Sequence, residues 1–244
     1  MRSYALLPFM LTAAQPALAQ AVWSGEGSLS AGITTGNTET SDVGVGLDLT
    51  RDGGDWKQTA EISMDYAKTD GAESKNRFFS ALQLDRGFDG PRWSAYGRVS
   101  HEQNQFSGFN SRTFFGGGVS YEVLMDDPTN WTLQGGPGYK IDNIEARLED
   151  GVVIPSTTEE TIAFRAGSRF SHKFNEAVAL SDNADVIYSD TSTQIVNELA
   201  LTASLVQNLS ARISLDVRHD TDAPQDSEPT DTATRFSLVY SYGD

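Results

Sequence analysis

Thr232-Ala-Thr-Arg-Phe-Ser-Leu-Val-Tyr-Ser-Tyr242, close to the C-terminus, is the stretch that decides how this chain is read. Successive side chains of a strand point to opposite faces. Thr234, Phe236, Leu238, Tyr240 and Tyr242 therefore share one face, and Ala233, Arg235, Ser237, Val239 and Ser241 share the other. The first face is apolar and aromatic. The second is a mostly polar set that a soluble sheet would turn to water and a membrane barrel would turn inward. A terminal strand of this kind predicts an all-β fold, a transmembrane antiparallel outer-membrane β-barrel. Tyr242 is then the aromatic that barrel-assembly machinery reads, although Gly243 and Asp244 follow it.

The rest of the chain agrees with that beginning. Only 38% of the 244 residues are hydrophobic, and no apolar run reaches the roughly 18 to 20 residues of a spanning helix, which excludes a helical membrane bundle. The one continuous apolar region is at the start, where Arg2 precedes Tyr4-Ala-Leu-Leu-Pro-Phe-Met-Leu11 and the stretch closes on Ala17-Leu-Ala19. A cation, an apolar segment and small residues in that order predict a signal peptide over residues 1–19, leaving 20–244 as the barrel. No cysteine follows the cleavage site, so a lipoprotein is not expected. The chain has no cysteine at all, which excludes disulfides and thiolate metal sites. The net charge of -16 excludes nucleic acid as a partner, because phosphates would be repelled.

From Ala21 onward about twelve segments of barrel-strand length alternate with clusters of Gly, Asn, Asp and Ser. In the second, Val43, Val45, Leu47 and Leu49 alternate with Asp42, Gly44, Gly46 and Asp48; in the eleventh, Leu209, Ala211, Ile213, Leu215 and Val217 alternate with a polar set. The polar faces place charges inward: Asp42 and Asp48, Glu61 and Asp65, Arg98 and Glu102, Arg165 and Arg169, Arg212, Asp216 and Arg218, and finally Arg235. The ninth segment is irregular. If Val178, Leu180, Val186 and Tyr188 face lipid, so does Asp182, and a bulge or shifted register is expected there.

Connections alternate in length, as they do when turns are short on the periplasmic side and loops long outside. Short links fall at 52–55, 87–91, 126–130, 173–176 and 207–208, and longer polar links at 103–111, 142–159 and 220–231. An even strand number leaves both termini in the periplasm. Trp23, Trp56, Trp93 and Trp131 recur once per hairpin, each opening an odd-numbered segment, and mark a periplasmic girdle that Tyr121, Phe170 and Tyr242 complete. The alternative, a soluble periplasmic lipocalin-like binding barrel, would have to bury these rings on the face that also carries Arg and Asp.

Several stretches, taken in order, resemble one family: Trp23-Ser-Gly-Glu-Gly27, Gly36-Asn-Thr-Glu-Thr40, Gly116-Gly-Gly-Val-Ser-Tyr121, Gly135-Gly-Pro-Gly-Tyr139 and Leu238-Val-Tyr-Ser-Tyr242. Together they are similar to the YdiY-like salt-induced outer-membrane proteins. The resemblance implies a barrel, an outer-membrane location and an osmotic response, and it implies no reaction.

A second function class is a lipid-modifying hydrolase, which would need Ser, His and a carboxylate near the outer rim. His101 follows Ser100 and His219 precedes Asp220, but adjacent strand residues point to opposite faces, and His172 falls in a periplasmic turn. No catalytic residue and no cofactor is therefore expected. Asp220, Asp222, Asp226, Glu228 and Asp231 crowd one link with oxygen ligands but lack a calcium-loop pattern. That link reads as a solvated acidic loop, with weak divalent bridging to lipopolysaccharide as its further use. What remains is the lumen. Its charges must be paired or hydrated, so the barrel is either plugged by ion pairs or a narrow solute channel linked to the salt response.

Overall fold

The computed structural model describes residues 21–34, 40–88, 90, 92–149, 152–223 and 229–243. Period-two alternation turns into long antiparallel strands: β1 Val22–Thr34, β2 Thr40–Asp52, β3 Trp56–Thr69, β4 Ala72–Gly87, β5 Trp93–Asn104, β6 Phe109–Asp126 and β7 Thr129–Ile144. A short hairpin, β8 Arg147–Glu149 and β9 Val152–Ile154, interrupts them. They resume as β10 Thr157–Lys173, β11 Val178–Ser189, β12 Thr193–Val206, β13 Leu209–Asp220 and β14 Thr230–Tyr242. All except β8 and β9 close into one barrel, each strand bonded to its sequence neighbours, with β7 beside β10 and β14 beside β1. Closure leaves no sheet edge exposed, which in lipid would leave backbone groups unsatisfied.

The seam is made by the stretch quoted first. β14 pairs with β1 from Gly25 opposite Tyr242 to Ala31 opposite Phe236. A Cβ on Gly25 would lie 2.8 Å from the Tyr242 ring, so a glycine lets that aromatic lie flat across the seam. Residues 1–20, which hold the expected signal peptide, lie outside the described residues, as do 36–39 of the Gly36-to-Thr40 motif.

The two faces are sorted in the sense opposite to a soluble protein. Ile162 is 79% exposed and Phe236 64% exposed on the outside, whereas Arg165 is 1% exposed and Asp142 2% exposed within. A water-soluble barrel would carry its apolar rings inward, so the lipocalin-like alternative falls on this point alone. The fold is that of an outer-membrane β-barrel.

Two expectations need correction. The long polar link at 103–111 is mostly strand: β5 runs to Asn104 and β6 begins at Phe109. β6 is 18 residues long and β10 17, where about 9–11 suffice to cross, so these strands project beyond the bilayer and leave a tight turn. The outer β3–β4 link is similarly tight, with Asp70 at φ 50° and Gly71 at φ 80°, the left-handed pair of a two-residue hairpin turn. The second correction concerns Asp182. No bulge or register shift occurs in β11, which pairs without interruption with β10 from Ala163–Ser189 to Lys173–Ala179 and with β12 from Val178–Ala203 to Tyr188–Thr193. Asp182 therefore keeps the outward direction its alternation gives it.

Candidate functional site

The interior of the barrel is one lumen of about 1490 Å³, lined from periplasmic turns (Gly54, Asp55, Arg92) to outer segments (Phe106, Ser107, Pro229). Alternation alone places its lining, since every second residue of each strand faces in. Asp42, Asp48, Glu61, Asp65, Arg98, Glu102, Arg165, Arg169, Arg212, Asp216, Arg218 and Arg235 stand on this inner surface, and ion pairs join most of them.

In the outer half a chain of ion pairs runs around and across the lumen. Arg235 reaches Asp65 at 3.0 Å, Asp216 at 3.5 Å and Asp42 at 3.6 Å. Asp65 also takes Arg77 at 3.1 Å, Arg77 takes Glu102 at 3.1 Å, and Glu102 takes Arg218 at 3.6 Å. Lys75 lies 3.9 Å from Asp42. Nearby, Arg112 pairs with Asp220, and Lys140 with Asp142 at 2.9 Å and with the Ser192 hydroxyl at 2.5 Å.

Two of these contacts cross the barrel. Glu102 on β5 and Arg218 on β13 stand six strands apart around a ring of twelve, and Arg112 on β6 stands five strands from Asp220 on β13. Twelve strands spaced about 4.8 Å and tilted about 40° would form a circle roughly 24 Å across. An extended arginine reaches about 7 Å from its Cα and a glutamate about 5 Å. With a gap of 3.6 Å, β5 and β13 stand no more than about 16 Å apart at that level. The cross-section is thus oval, pinched along the β5–β13 axis near the outer mouth.

The β6–β7 wall is filled differently. Phe114, 3% exposed, lies on an inner surface made by Gly116 and Gly138, where a Cβ on either glycine would strike its ring. Beside it Tyr96 carries the Arg165 guanidinium 5.4 Å from its ring centre. Arg165 also donates to Gln134 at 3.0 Å and shares Asp185 with Arg169. In the inner half, Arg98 meets Glu61 at 3.4 Å and Arg212 meets Glu26 at 2.6 Å. Asp48 stands among Glu61, Glu26 and Glu198, with Arg212 as the cation acting on it, and makes no ion pair among the described residues. This half of the lumen is richer in carboxylates than in cations.

The sequence reading missed Glu26, Arg77, Arg112, Lys140, Asp142, Asp185 and Asp220 as members of the lumen set. Most carry the same parity signal as the residues that were chosen. Lys140 and Asp142, for example, alternate with Tyr139 and Ile141. Arg112 lay at the end of a link read as loop, and Asp220 among acids read as a solvated loop; both are strand residues facing inward. Asp226 and Glu228 lie outside the described residues, and among those described no cluster of three His, Asp or Glu could hold a metal ion.

The aromatic residues sit around the periplasmic end. Trp23, Trp56 and Trp93 open β1 and its odd-numbered successors. Trp93 meets Tyr121 with ring centres 4.6 Å apart, and Trp131 is paired with Phe170 while donating to Ser168 at 3.0 Å. The three histidines point outward. Each rests a ring nitrogen on a neighbouring threonine hydroxyl: His101 on Thr113, His172 on Thr129 and His219 on Thr230, at 2.8, 2.7 and 2.8 Å. His172 belongs to β10 rather than to a turn. Among the described residues no histidine is hydrogen-bonded to a serine or a carboxylate, so the geometry holds no assembled triad.

Residues 27–242 match a family model described as "Protein of unknown function, DUF481". No curated protein matches the chain. Its fold is similar to the COG4313 outer membrane channel from Pseudomonas putida F1, with a TM-score of 0.51 at 8% identity over 95% of this chain and 97% of that one. It is also similar to the NanC porin, with a TM-score of 0.49 at 10% identity over 91% and 99% of the two chains. The translocator domain of the autotransporter NalP from Neisseria meningitidis gives a TM-score of 0.48 at 14% identity over 91% and 87%. At these identities the likeness is one of fold.

Proposed function

Because the chain belongs to the DUF481 family, the YdiY-like proteins of unknown function, its role must be argued from its own lumen, and we propose that it is a narrow channel for small ions in the outer membrane. The observation that carries this is the single lumen lined from the periplasmic turns to the outer segments. Charged residues of both signs keep it wet, because side chains of this kind cannot be left dry and unpaired. The narrow point is the outer mouth, where Arg218–Glu102 and Arg112–Asp220 cross it. Below that, Asp48, Glu26, Glu61 and Glu198 favour cations over anions.

On this reading the chain is exported by a cleaved signal peptide, assembles through Tyr242 and works without chemistry of its own. Acidic outer loops, through divalent cations, make contact with lipopolysaccharide, and the channel contributes to the salt response that the family resemblance suggests. The cross-lumen pairs favour a second reading, a plugged structural barrel. Planar-bilayer recording separates the two. The channel reading expects small ohmic steps with a reversal potential displaced toward the cation, growing when Arg218→Met and Glu102→Gln are combined. Silence from both the parent and the double variant would establish the plug.

A further inference from the structure

The charges in the inner half of the lumen are sorted by sign across it. On the wall that runs from β12 through the seam to β3, the carboxylates Glu26, Asp48, Glu61 and Glu198 stand together with one guanidinium, that of Arg212, which pairs with Glu26 at 2.6 Å. Asp48 and Glu198 make no ion pair among the described residues. Arg235 acts on Glu198 as well but is held by Asp65, Asp216 and Asp42. On the wall from β5 to β11 the arrangement is reversed. Arg98, Arg165 and Arg169 stand around one carboxylate, that of Asp185, which Arg165 and Arg169 share. Asp85, near the periplasmic end of β4, accepts from Gln83 at 3.0 Å.

The two groups lie beside each other, not one above the other. Asp48 is four residues in from the periplasmic end of β2 at Asp52, and Arg169 is four residues in from that of β10 at Lys173. β2 and β10 are six places apart in the ring of twelve, so these two charges stand at one height on opposite walls. Glu61 and Arg98 are each five residues above the tryptophan that opens their strand, and they meet at 3.4 Å where the two groups join. The field between the groups therefore runs across the lumen, at right angles to the path of a solute. A lone cation is drawn to the first wall and repelled by the second, and a lone anion the reverse. A solute that carries both charges is drawn by both.

We propose that the inner half of the lumen selects small zwitterionic solutes, the ammonium turned to Asp48, Glu61 and Glu198 and the carboxylate to Arg98, Arg165 and Arg169. Glu61 and Arg98 mark the point where the two ends of one small molecule meet opposite charges at once. This deepens the channel reading and rests on it.

Swelling of proteoliposomes in isosmotic glycine or glycolamide tests the proposal. The two solutes are isomers of equal size; the first is zwitterionic, the second carries no charge, and neither sets up a diffusion potential. The ratio of the two rates within one protein is the readout. The parent should pass glycine about threefold faster than glycolamide. Glu61→Gln combined with Arg98→Met removes one charge of each sign and should bring the two rates together. A second pair, Asp48→Asn with Arg169→Met, breaks no ion pair of Asp48 and leaves Asp185 with Arg165, and it too should lower the ratio. Unheated-gel mobility confirms that each barrel is folded. The proposal is overturned if the parent passes glycine no faster than glycolamide, or if the parental ratio persists in the folded variants. Entry of glycolamide without that preference leaves the channel standing and removes only this inference, whereas entry of neither solute removes both.

Discussion

Breaking the Glu102–Arg218 pair tests the pinched lumen directly, because that contact exists only if two strands on opposite sides of the barrel come together. The side chains are 25% and 28% exposed, and their charged atoms lie 3.6 Å apart. Coulomb's law at that distance gives about 5 kcal/mol for an effective dielectric constant near 20 and about 1 kcal/mol in bulk water. Partial exposure places the coupling between those limits, at about 1–3 kcal/mol. Glu102 also accepts from Arg77 at 3.1 Å, and Arg77 keeps Asp65, so the single substitutions differ. Arg218→Met leaves Glu102 with Arg77, whereas Glu102→Gln leaves Arg218 with no ion pair among the described residues. A double-mutant cycle of Arg218→Met and Glu102→Gln cancels these differences and isolates the cross-lumen contact. Urea unfolding of the refolded barrel, followed by tryptophan fluorescence, gives the four free energies. A coupling below about 0.5 kcal/mol would show that the two side chains do not meet and that the barrel is not pinched there.

Other outcomes follow from single contacts. Asp185→Asn removes the carboxylate that Arg165 and Arg169 share, and Arg165 is 1% exposed, so unfolding in urea should lose about 3 kcal/mol; a variant as stable as the parent would mean that Arg165 is satisfied by Gln134 and the Tyr96 ring alone. Gly138→Val sets a side chain into the Phe114 ring and 2.7 Å from the Phe115 carbonyl, and should cost about 2 kcal/mol or more by the same assay. The outward Gly97 has open space at its Cβ, so Gly97→Val is the tolerated reference. Tyr242→Ala uncovers Gly25 at the seam and should slow assembly in pulse-labelled cells; assembly at the parent rate would remove the role given to that aromatic.

Much of the barrel could be read locally because its rule is local. A side chain two residues along a strand returns to the same face, so the positions of Leu209, Ala211 and Ile213 against Arg212 follow from spacing alone. The tryptophans were legible for the same reason, each opening one hairpin. Asp142 and Asp185 obeyed that rule and were still passed over, because the first opened a link read as loop and the second lay in the irregular ninth segment, whereas Lys140 was passed over within a regular strand. At Asp182 the alternation was right and the added bulge was wrong. The bulge came from assuming that a lipid-facing belt must be wholly apolar, whereas Asn197, one strand away and diagonal to it, supplies the hydrogen bond that keeps the register.

The sequence by itself determined an outer-membrane barrel of about twelve strands, with aromatic groups outside and charges inside. Only the tertiary structure decided which charges meet. Glu102 and Arg218 are each simply inward-facing in sequence; their contact depends on closure, tilt and the flattening of the ring, which place five strands between them along the wall and a few ångströms between them across it. Alternation is a property of one strand, whereas distance across a lumen is a property of all twelve strands together.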